Sequence, residues 1–415
     1  VDLKNGWLRQ PIRTHRHHAT PRLRAKAGKM ESCQRGLNVM GHRMMNEPFV
    51  PPPYPYDRLD RLAPLGAHHE GGIVDLSIGT PFDPPPASVI SAFGSSGAER
   101  GYPASIGSAA LREAIASWIE RRFALDVSTS AIAACIGTKE FVGTLPQWMR
   151  LRNPDRDTVL YPAISYPTYA MGATLAGCRA VPIPVDASGK LLLSSVDESD
   201  IERALLLWVN SPSNPSGQLD DLDAAAAWGR KHSIPVFSDE CYVEFTWDGP
   251  RRTILENGLD GVVAVHSLSK RSNLAGARVG FYAGDADIVR YLSEVRKHVG
   301  MMVPGPAQVA AIAALADDEH VEIQRDRYLD RLNVMAEVLS SWATCDVPMP
   351  QGGFYLWVPV GDAWSFVERL MVDGGALVSP GEFYGDDGAA FVRVAVVQPT
   401  DRIQLVADRL SGSNL

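Results

Sequence analysis

Residues 266–280 read HSLSKRSNLAGARVG and directly follow the apolar, β-branched run 262–265. A short apolar run that stops at small or polar residues is typical of a strand buried on both faces of a parallel sheet. Lys270 therefore lies just past the carboxyl end of a predicted strand, eight positions before Arg278. An isolated lysine there would be an ordinary solvated side chain. However, open parallel sheets bind ligands beyond the carboxyl ends of their strands, so this stretch indicates both a fold class and a site.

The same pattern recurs along the chain and predicts an α/β fold. Four further short apolar runs indicate strands at 132–136, 158–161, 205–209 and 235–237. Longer segments with helical periodicity lie between or after them, at 108–123, 221–231, 286–298 and 308–316. In the first of these helices, Leu111, Ile115, Trp118 and Ile119 share one face. We expect a mostly parallel sheet flanked by helices on both sides.

The chain changes character at about residue 312. A long polar helix to about Trp342 is predicted there, followed by the strand-like runs FYLWVPV and FVRVAVV around another helix. These features predict a smaller α+β domain over 312–415, with 86–311 as the large domain. Residues 46–85 are expected to form an N-terminal arm and part of the small domain.

Composition and charge exclude several classes of protein. The 415 residues are 45% hydrophobic and 21% charged, which argues against disordered and fibrous chains. No apolar stretch approaches the roughly 20 residues of a membrane span. The five cysteines include no CxxC pair, so neither a disulfide framework nor a zinc site is indicated, and no metal is expected. A reducing, cytoplasmic location fits this cysteine usage best.

The net charge of -8 is unevenly distributed. Residues 1–45 carry ten Lys and Arg against two acidic residues, which leaves 30 basic and 46 acidic residues in the rest of the chain. We expect this basic tail to be disordered, because it has few large apolar residues to bury. An arm for nucleic acid and a targeting peptide are the alternatives. The acidic body argues against nucleic acid as a partner of the folded part.

Four other predicted strand ends carry unusual residues. The turn GTKE at 137–140 leads into a helix and suits a phosphate, although it could be a plain connection. The loop YPAISYPTY at 161–169 places aromatic rings for stacking or for packing. The loop NSPSNPSG follows at 210–217, and SDECY at 238–242 ends a buried run with Asp239. A buried carboxylate is costly without a cationic partner, and a protonated ring nitrogen would serve.

The motifs NSPSNPSG, SDECY and SLSKRSNLAGARVG together resemble the class I/II aminotransferases, which have the fold-type I architecture and use pyridoxal 5'-phosphate (PLP). The resemblance runs from about Ile73 to the C-terminus. It implies that Lys270 binds the cofactor covalently and moves the substrate proton. It also implies that Asp239 pairs with the ring nitrogen and that Tyr242 and Asn214 bond the ring oxygen.

The resemblance assigns the remaining site residues as well. It implies that Tyr166 stacks on the cofactor ring, that Arg393 binds the substrate α-carboxylate, and that the N-terminal loop containing Gly79 lies over the substrate. It further implies a homodimer with shared active sites, in which Tyr102 reaches the phosphate bound by the neighbouring subunit. The phosphate cup implied within the chain comprises Thr138, Lys139, Ser267, Ser269 and Arg278.

Four stretches look closely similar to bacterial N-succinyldiaminopimelate aminotransferases, namely VDLSIGTPFDPPP, AVHSLSKRSNLAGARVGF, VRKHVGMMVPGPAQ and PGEFYG. That resemblance implies ping-pong amino transfer between N-succinyl-LL-2,6-diaminopimelate and 2-oxoglutarate, in lysine and diaminopimelate biosynthesis. Arg296, Lys297 and His298 are candidates for binding this anionic substrate. The alternatives are an aspartate or LL-diaminopimelate aminotransferase, a carbon-sulfur β-lyase, and a PLP-sensing regulator, which would need a winged-helix module upstream.

Overall fold

The computed structural model describes residues 49–95, 97–186 and 188–412, so the basic tail expected at 1–45 lies outside the described residues. The strands are β1 Val74–Asp75, β2 Ile132–Cys135, β3 Thr158–Pro162, β4 Arg179–Ile183, β5 Ala204–Asn210, β6 Val236–Asp239, β7 Val262–Ser267, β8 Gly280–Gly284, β9 Tyr355–Pro359, β10 Ala376–Leu377, β11 Ser379–Pro380 and β12 Phe391–Ala395. The helices are α1 Ala63–Gly66, α2 Ala87–Gly94, α3 Ala109–Phe123, α4 Thr138–Arg152, α5 Thr168–Leu175, α6 Glu198–Arg203, α7 Leu222–His232, α8 Leu268–Arg271, α9 Ala286–His298, α10 Gly305–Ala316, α11 Glu319–Ala343, α12 Ala363–Gly374 and α13 Thr400–Gly412.

A seven-stranded sheet with the order β2-β8-β7-β6-β5-β3-β4 carries the fold. All five strands expected from the apolar runs are present in it. Strands β4, β3, β5, β6 and β7 pair in parallel, as predicted for this sheet. The prediction for 132–136 was partly wrong, because the hydrogen-bonded neighbour of β2 is β8, which runs antiparallel to both β2 and β7.

The sequence pattern did not predict β8, which reads GFYAG. Glycine is a poor strand former, but here it is required by a close approach between strands. A Cβ atom added to Gly280 would lie 2.9 Å from the carbonyl oxygen of His266 on β7. The local sequence therefore does not predict this strand, which forms because of its packing against β7.

Helices cover both faces of this sheet, which confirms the predicted α/β fold. On one face, residues such as Ile132, Leu207 and Val236 pack with α3, α7 and α10. On the other, alternate residues such as Leu206 and Phe237 pack with α4, α5 and α9. All seven residues of β5 are buried. This is the pattern of a parallel strand covered on both sides.

The predicted helix at 108–123 is α3, and its four predicted core residues are all buried. Its first turn is held by Ser108, whose hydroxyl oxygen accepts from the amide of Leu111 at 3.2 Å. This is the N-cap arrangement expected of serine before a helix.

The C-terminal part contains a three-stranded antiparallel sheet of order β11-β12-β9. Strand β1 near the N-terminus pairs in parallel with β10 near the C-terminus. One apolar cluster joins Leu59, Leu62, Val74 and Leu76 to residues of α11, α12 and α13. The chain from Pro53 onward forms a single compact unit, and a domain boundary near 311 stays a prediction.

Within the described ranges, no helix is long and apolar enough to span a bilayer. The same residues contain no cluster of three or more His, Cys, Asp and Glu side chains that could hold a metal ion.

Candidate active site

A cavity of about 320 Å³ lies where β5, β6 and β7 end. The last residues of these strands, Asn210, Asp239 and Ser267, all line it. The cavity also brings together nearly every site residue predicted from the sequence. The predicted residues that line it are Gly79, Thr138, Lys139, Tyr166, Asn214, Asp239, Tyr242, Ser267, Ser269, Lys270, Arg278 and Arg393.

Lys270 lies on the one-turn helix α8 that follows β7. The hydroxyl of Ser267 caps this helix by accepting from the amide of Ser269 at 3.2 Å. The Lys270 amine donates to the carbonyl oxygen of Gly79. Burial lowers the pKa of Lys270 to about 8. An amine with this pKa is available as a base or nucleophile near neutral pH.

Asp239 ends β6 and is 6% exposed. Its carboxylate accepts from the Tyr169 hydroxyl at 2.9 Å and from the Cys241 amide at 3.2 Å. Burial raises the pKa of Asp239, and these two hydrogen bonds oppose part of the increase. Because both partners are uncharged, the carboxylate suits a cation placed in the cavity.

Hydroxyls and a guanidinium also line the cavity, next to the start of a helix. Helix α4 begins at Thr138, and its N-cap Gly137 has φ +73° and no side-chain cap. A Cβ atom at Gly137 would collide with the guanidinium of Arg278, so glycine allows the helix terminus and Arg278 to approach each other. An uncapped helix N-terminus beside Arg278, Ser267 and Ser269 is suited to a phosphate.

Arg393 on β12 is 3% exposed and lies between two aromatic rings. Its Cζ atom is 4.2 Å from the centroid of Tyr355 and 4.8 Å from that of Tyr384. It donates to Asn214 Oδ1 at 2.8 Å and to the Ser77 carbonyl oxygen at 2.5 Å, while its Nε has no partner. This planar fork at the cavity wall is suited to a carboxylate.

Comparison with known proteins identifies this arrangement. The family model for aminotransferase class I and II matches residues 72–410. The chain belongs to this family. It is 40% identical over 369 residues to the 4-dedimethylamino-4-oxo-anhydrotetracycline transaminase OxyQ of Streptomyces rimosus, covering 87% of this chain and 99% of that protein. It is 30% identical to the LL-diaminopimelate aminotransferase of Aquifex aeolicus, covering 88% and 98% of the two chains.

A solved structure shares the fold of this aminotransferase. It is described as a probable N-succinyldiaminopimelate aminotransferase from Thermus thermophilus. The TM-score is 0.77 at 29% identity, covering 86% of this chain and 99% of that chain. The aminotransferase therefore has the fold-type I architecture and, like its family, depends on PLP.

The residues of the cavity fit PLP on three observations. Lys270 supplies an amine of lowered pKa. Asp239 supplies a buried carboxylate whose two hydrogen-bond donors are uncharged, and it suits a protonated pyridine nitrogen. Gly137 leaves a cradle beside Arg278 that any larger residue would fill. The aminotransferase thus presents an amine, a carboxylate and an anion site around one space.

Tyr102 and the triplet 296–298 do not line the cavity of the aminotransferase. Tyr102 is 98% exposed. Arg296 is 1% exposed on its side chain and forms an ion pair with Glu140 at 2.7 Å, so the expectation that it contacts substrate was wrong. Lys297 lies 3.7 Å from Glu294 on the same exposed helix surface.

Sequence reasoning missed several aromatic residues of the cavity. Tyr355 on β9 lies 3.0 Å, oxygen to oxygen, from the Tyr242 hydroxyl. Tyr54 and Tyr56, from the proline-rich entry to the fold, also line the cavity. The alternation of side chains along β9 places Tyr355 on one face of the strand, but the sequence does not show which face lines the site. No local signal distinguishes these rings from core residues.

Proposed function

We propose that this aminotransferase exchanges an amino group between N-succinyl-LL-2,6-diaminopimelate and 2-oxoglutarate, giving N-succinyl-2-amino-6-oxopimelate and glutamate. The observation that carries amino transfer is the convergence of Lys270, Asp239 and Arg393 on one cavity. The similarity to a Thermus protein described as a probable N-succinyldiaminopimelate aminotransferase supports this substrate. On this proposal the enzyme acts in lysine and diaminopimelate biosynthesis in the cytoplasm.

The chain's own residues hold the cofactor on this proposal. Lys270 binds it covalently, Asp239 keeps the ring nitrogen protonated, and Tyr242 and Asn214 donate to the ring oxygen. Tyr166 stacks on the ring. The phosphate is bound by Thr138, Lys139, Ser267, Ser269 and Arg278. When bound, PLP acts as an electron sink that stabilises negative charge at the substrate α-carbon.

The same residues orient the substrate and move its proton. Arg393 binds the α-carboxylate through its two terminal nitrogens, and the backbone of Gly79 lies over the substrate. Because burial lowers the pKa of Lys270 to about 8, its Nζ, when free, would be able to remove the proton from the substrate α-carbon. The reverse sequence with the second substrate makes the kinetics ping-pong.

LL-diaminopimelate is the second candidate substrate. The specific observation that favours it is the 30% identity to the LL-diaminopimelate aminotransferase of Aquifex aeolicus. The two compounds share one skeleton and differ in the succinyl group, which removes one positive charge and adds a carboxylate. An assay of the enzyme with each compound in turn therefore distinguishes the two candidate substrates.

The first experiment is the absorption spectrum of the purified enzyme with N-succinyl-LL-diaminopimelate and no oxo acid. Loss of the yellow colour of the bound cofactor would support the proposal, and Lys270→Ala should show no such change while remaining folded. A response to LL-diaminopimelate alone would favour the second candidate. A response only to other amino compounds would still support amino transfer but would contradict a role in lysine and diaminopimelate biosynthesis. Pyruvate release from a cysteine conjugate would instead indicate a β-lyase.

A further inference from the structure

We propose that Glu140 and Arg296 form a positioning pair that holds the phosphate-binding turn Gly137–Lys139 in place. This inference rests on the proposed function, because it takes the N-terminus of α4 as part of the phosphate cup. Neither residue lines the cavity. Both therefore act through the backbone next to it.

The pair is a planar, two-point ion pair between α4 and α9. Arg296 Nη1 donates to Glu140 Oε1 at 2.7 Å, and Nη2 donates to Oε2 at 2.7 Å. The arginine side chain is 1% exposed and the carboxylate side chain 21% exposed. The guanidinium carbon also lies 5.7 Å from the centroid of Phe141. Such bidentate pairs fix the direction of the carboxylate as well as neutralising it.

Glu140 is the third residue of α4, and its carboxylate reaches back over the start of the helix. Its Oε2 accepts from the amide of Ile136 at 3.2 Å, and its Oε1 accepts from the Thr144 hydroxyl at 3.1 Å. The segment between these contacts includes Gly137 and Thr138. One side chain thus ties the end of β2 to the second turn of α4.

Two side chains hydrogen-bond to the backbone of Ile136. Its amide donates to Glu140, while its carbonyl oxygen accepts from Arg278 Nη2 at 3.4 Å. The carboxylate of Glu140 and the proposed phosphate ligand Arg278 therefore contact the backbone of the same residue. A carboxylate this close to a bound phosphate would repel it. Arg296 offsets that charge and keeps the carboxylate on the Ile136 amide.

The test compares two ligands that differ only in the phosphate. Pyridoxamine 5'-phosphate and pyridoxamine bind without a covalent bond to lysine, and calorimetric titration of the full chain freed of cofactor measures both. Arg296→Met should weaken the binding of pyridoxamine 5'-phosphate by about tenfold or more, which is a loss of about 1.4 kcal/mol in binding free energy. The same variant should weaken the binding of pyridoxamine by less than about threefold. The double variant Glu140→Gln/Arg296→Met should regain most of the loss, because a neutral amide can still accept from Ile136.

Controls separate positioning from a general loss of structure. Arg290→Met removes an arginine from the same helix whose pair with Asp287 is exposed, and it should leave both affinities unchanged. If Arg296→Met does not fold, Arg296→Lys takes its place, because lysine keeps the positive charge but cannot form the two-point pair. It should show a smaller loss of affinity with the same preference for pyridoxamine 5'-phosphate over pyridoxamine. Equal weakening of both ligands, or of neither, would overturn the inference.

The phosphate cup itself is tested by Arg278→Met. This variant should weaken the binding of pyridoxamine 5'-phosphate more than the binding of pyridoxamine. If it does not, the assigned cup is wrong and the proposed site fails with it. If Arg278→Met behaves as expected and Arg296→Met does not, the positioning role alone is overturned.

Discussion

Lys270 illustrates how one residue acquires its chemistry from its surroundings. Burial at the cavity wall lowers the pKa of its amine to about 8, against about 10.4 for an unperturbed lysine. Without cofactor, this amine should react with an acylating reagent with a half-maximal rate near pH 8. Peptide mass spectrometry of protein labelled between about pH 6 and 10 measures this profile, with exposed Lys231 as an internal reference. A Lys270 rate still far from its plateau at the upper end would contradict the prediction.

Arg393 is the second residue whose geometry predicts a measurable effect. Arg393→Lys keeps a positive charge but removes the planar fork that now reaches Asn214 and the Ser77 carbonyl. We expect kcat/KM to fall by about tenfold to a hundredfold, mainly through KM and for the amino and oxo acid alike. Steady-state kinetics with both substrates measure this. Arg290→Lys on the exposed surface is the control, and a change within about twofold for Arg393→Lys would contradict the assigned carboxylate role.

At the scale of elements, the one-turn helix α8 is too short to be stable by itself. It is held by Arg271, the residue after Lys270, whose side chain is 4% exposed and donates from Nε to Glu244 at 3.1 Å. Glu244 also accepts from Trp118 at 2.9 Å and from Arg122 at 2.6 Å. These contacts join α8 to α3 and to the segment after β6.

Loss of the Glu244 charge should therefore destabilise the protein strongly. Glu244→Gln removes the carboxylate shared by Arg271 and Arg122 and leaves them only Asp318 and Glu322 as charged partners, so we expect the free energy of unfolding to fall by about 2 kcal/mol or more. Asp223→Asn breaks the exposed pair with Arg252 and should cost less than about 1 kcal/mol. Denaturant unfolding followed by circular dichroism measures both. Similar losses for the two variants would show that the cluster around Glu244 stabilises the protein no more than an exposed ion pair does.

The same cluster predicts a pH dependence. Burial alone would raise the pKa of Glu244, but Arg271 and Arg122 outweigh it and hold the pKa below its ordinary value. A carboxylate with a lowered folded pKa contributes stability that is present above its unfolded pKa of about 4.3 and is lost as the pH falls through the folded value. The difference in unfolding free energy between wild type and Glu244→Gln should accordingly shrink below about pH 4. A constant difference down to acid pH would contradict this.

Across the whole molecule, several large apolar side chains are exposed on the surface. Tyr102 is 98% exposed, Ile90 54% and Val299 50%. Exposed apolar groups of this kind often mark an interface. In the homodimer that the family resemblance implies, Tyr102 would reach the phosphate bound by the neighbouring subunit.

Mixing two inactive variants tests this arrangement. Tyr102→Ala and Lys270→Ala homodimers should each have low activity. In a hybrid dimer, one site would carry both changes and the other neither. Random reassembly should therefore restore up to about a quarter of the wild-type sites. Assay of amino transfer after mixing measures the recovery, and light scattering establishes the mass. Absence of recovery in a mixture of proven dimers would place Tyr102 outside the neighbouring site.

The features of this protein that depend on short segments of chain could be predicted from the amino-acid sequence. Apolar runs predicted five strands of the large sheet, and the residues at their carboxyl ends predicted most of the cavity wall. Those predictions held because a short buried strand and the polar residue that ends it are adjacent in the chain, so the periodicity of one segment carries the signal.

Contacts between residues far apart in the chain could not be predicted in this way, because they depend on tertiary packing. The glycine-rich strand β8 exists because β7 approaches it closely. Tyr355 belongs to the cavity because β9 packs against Tyr242. Arg296, a candidate for binding substrate on its charge and position in the sequence, is instead buried against Glu140. Each of these outcomes depends on burial and pairing between segments far apart in sequence, and the free energy of such contacts has no counterpart in local periodicity or propensity.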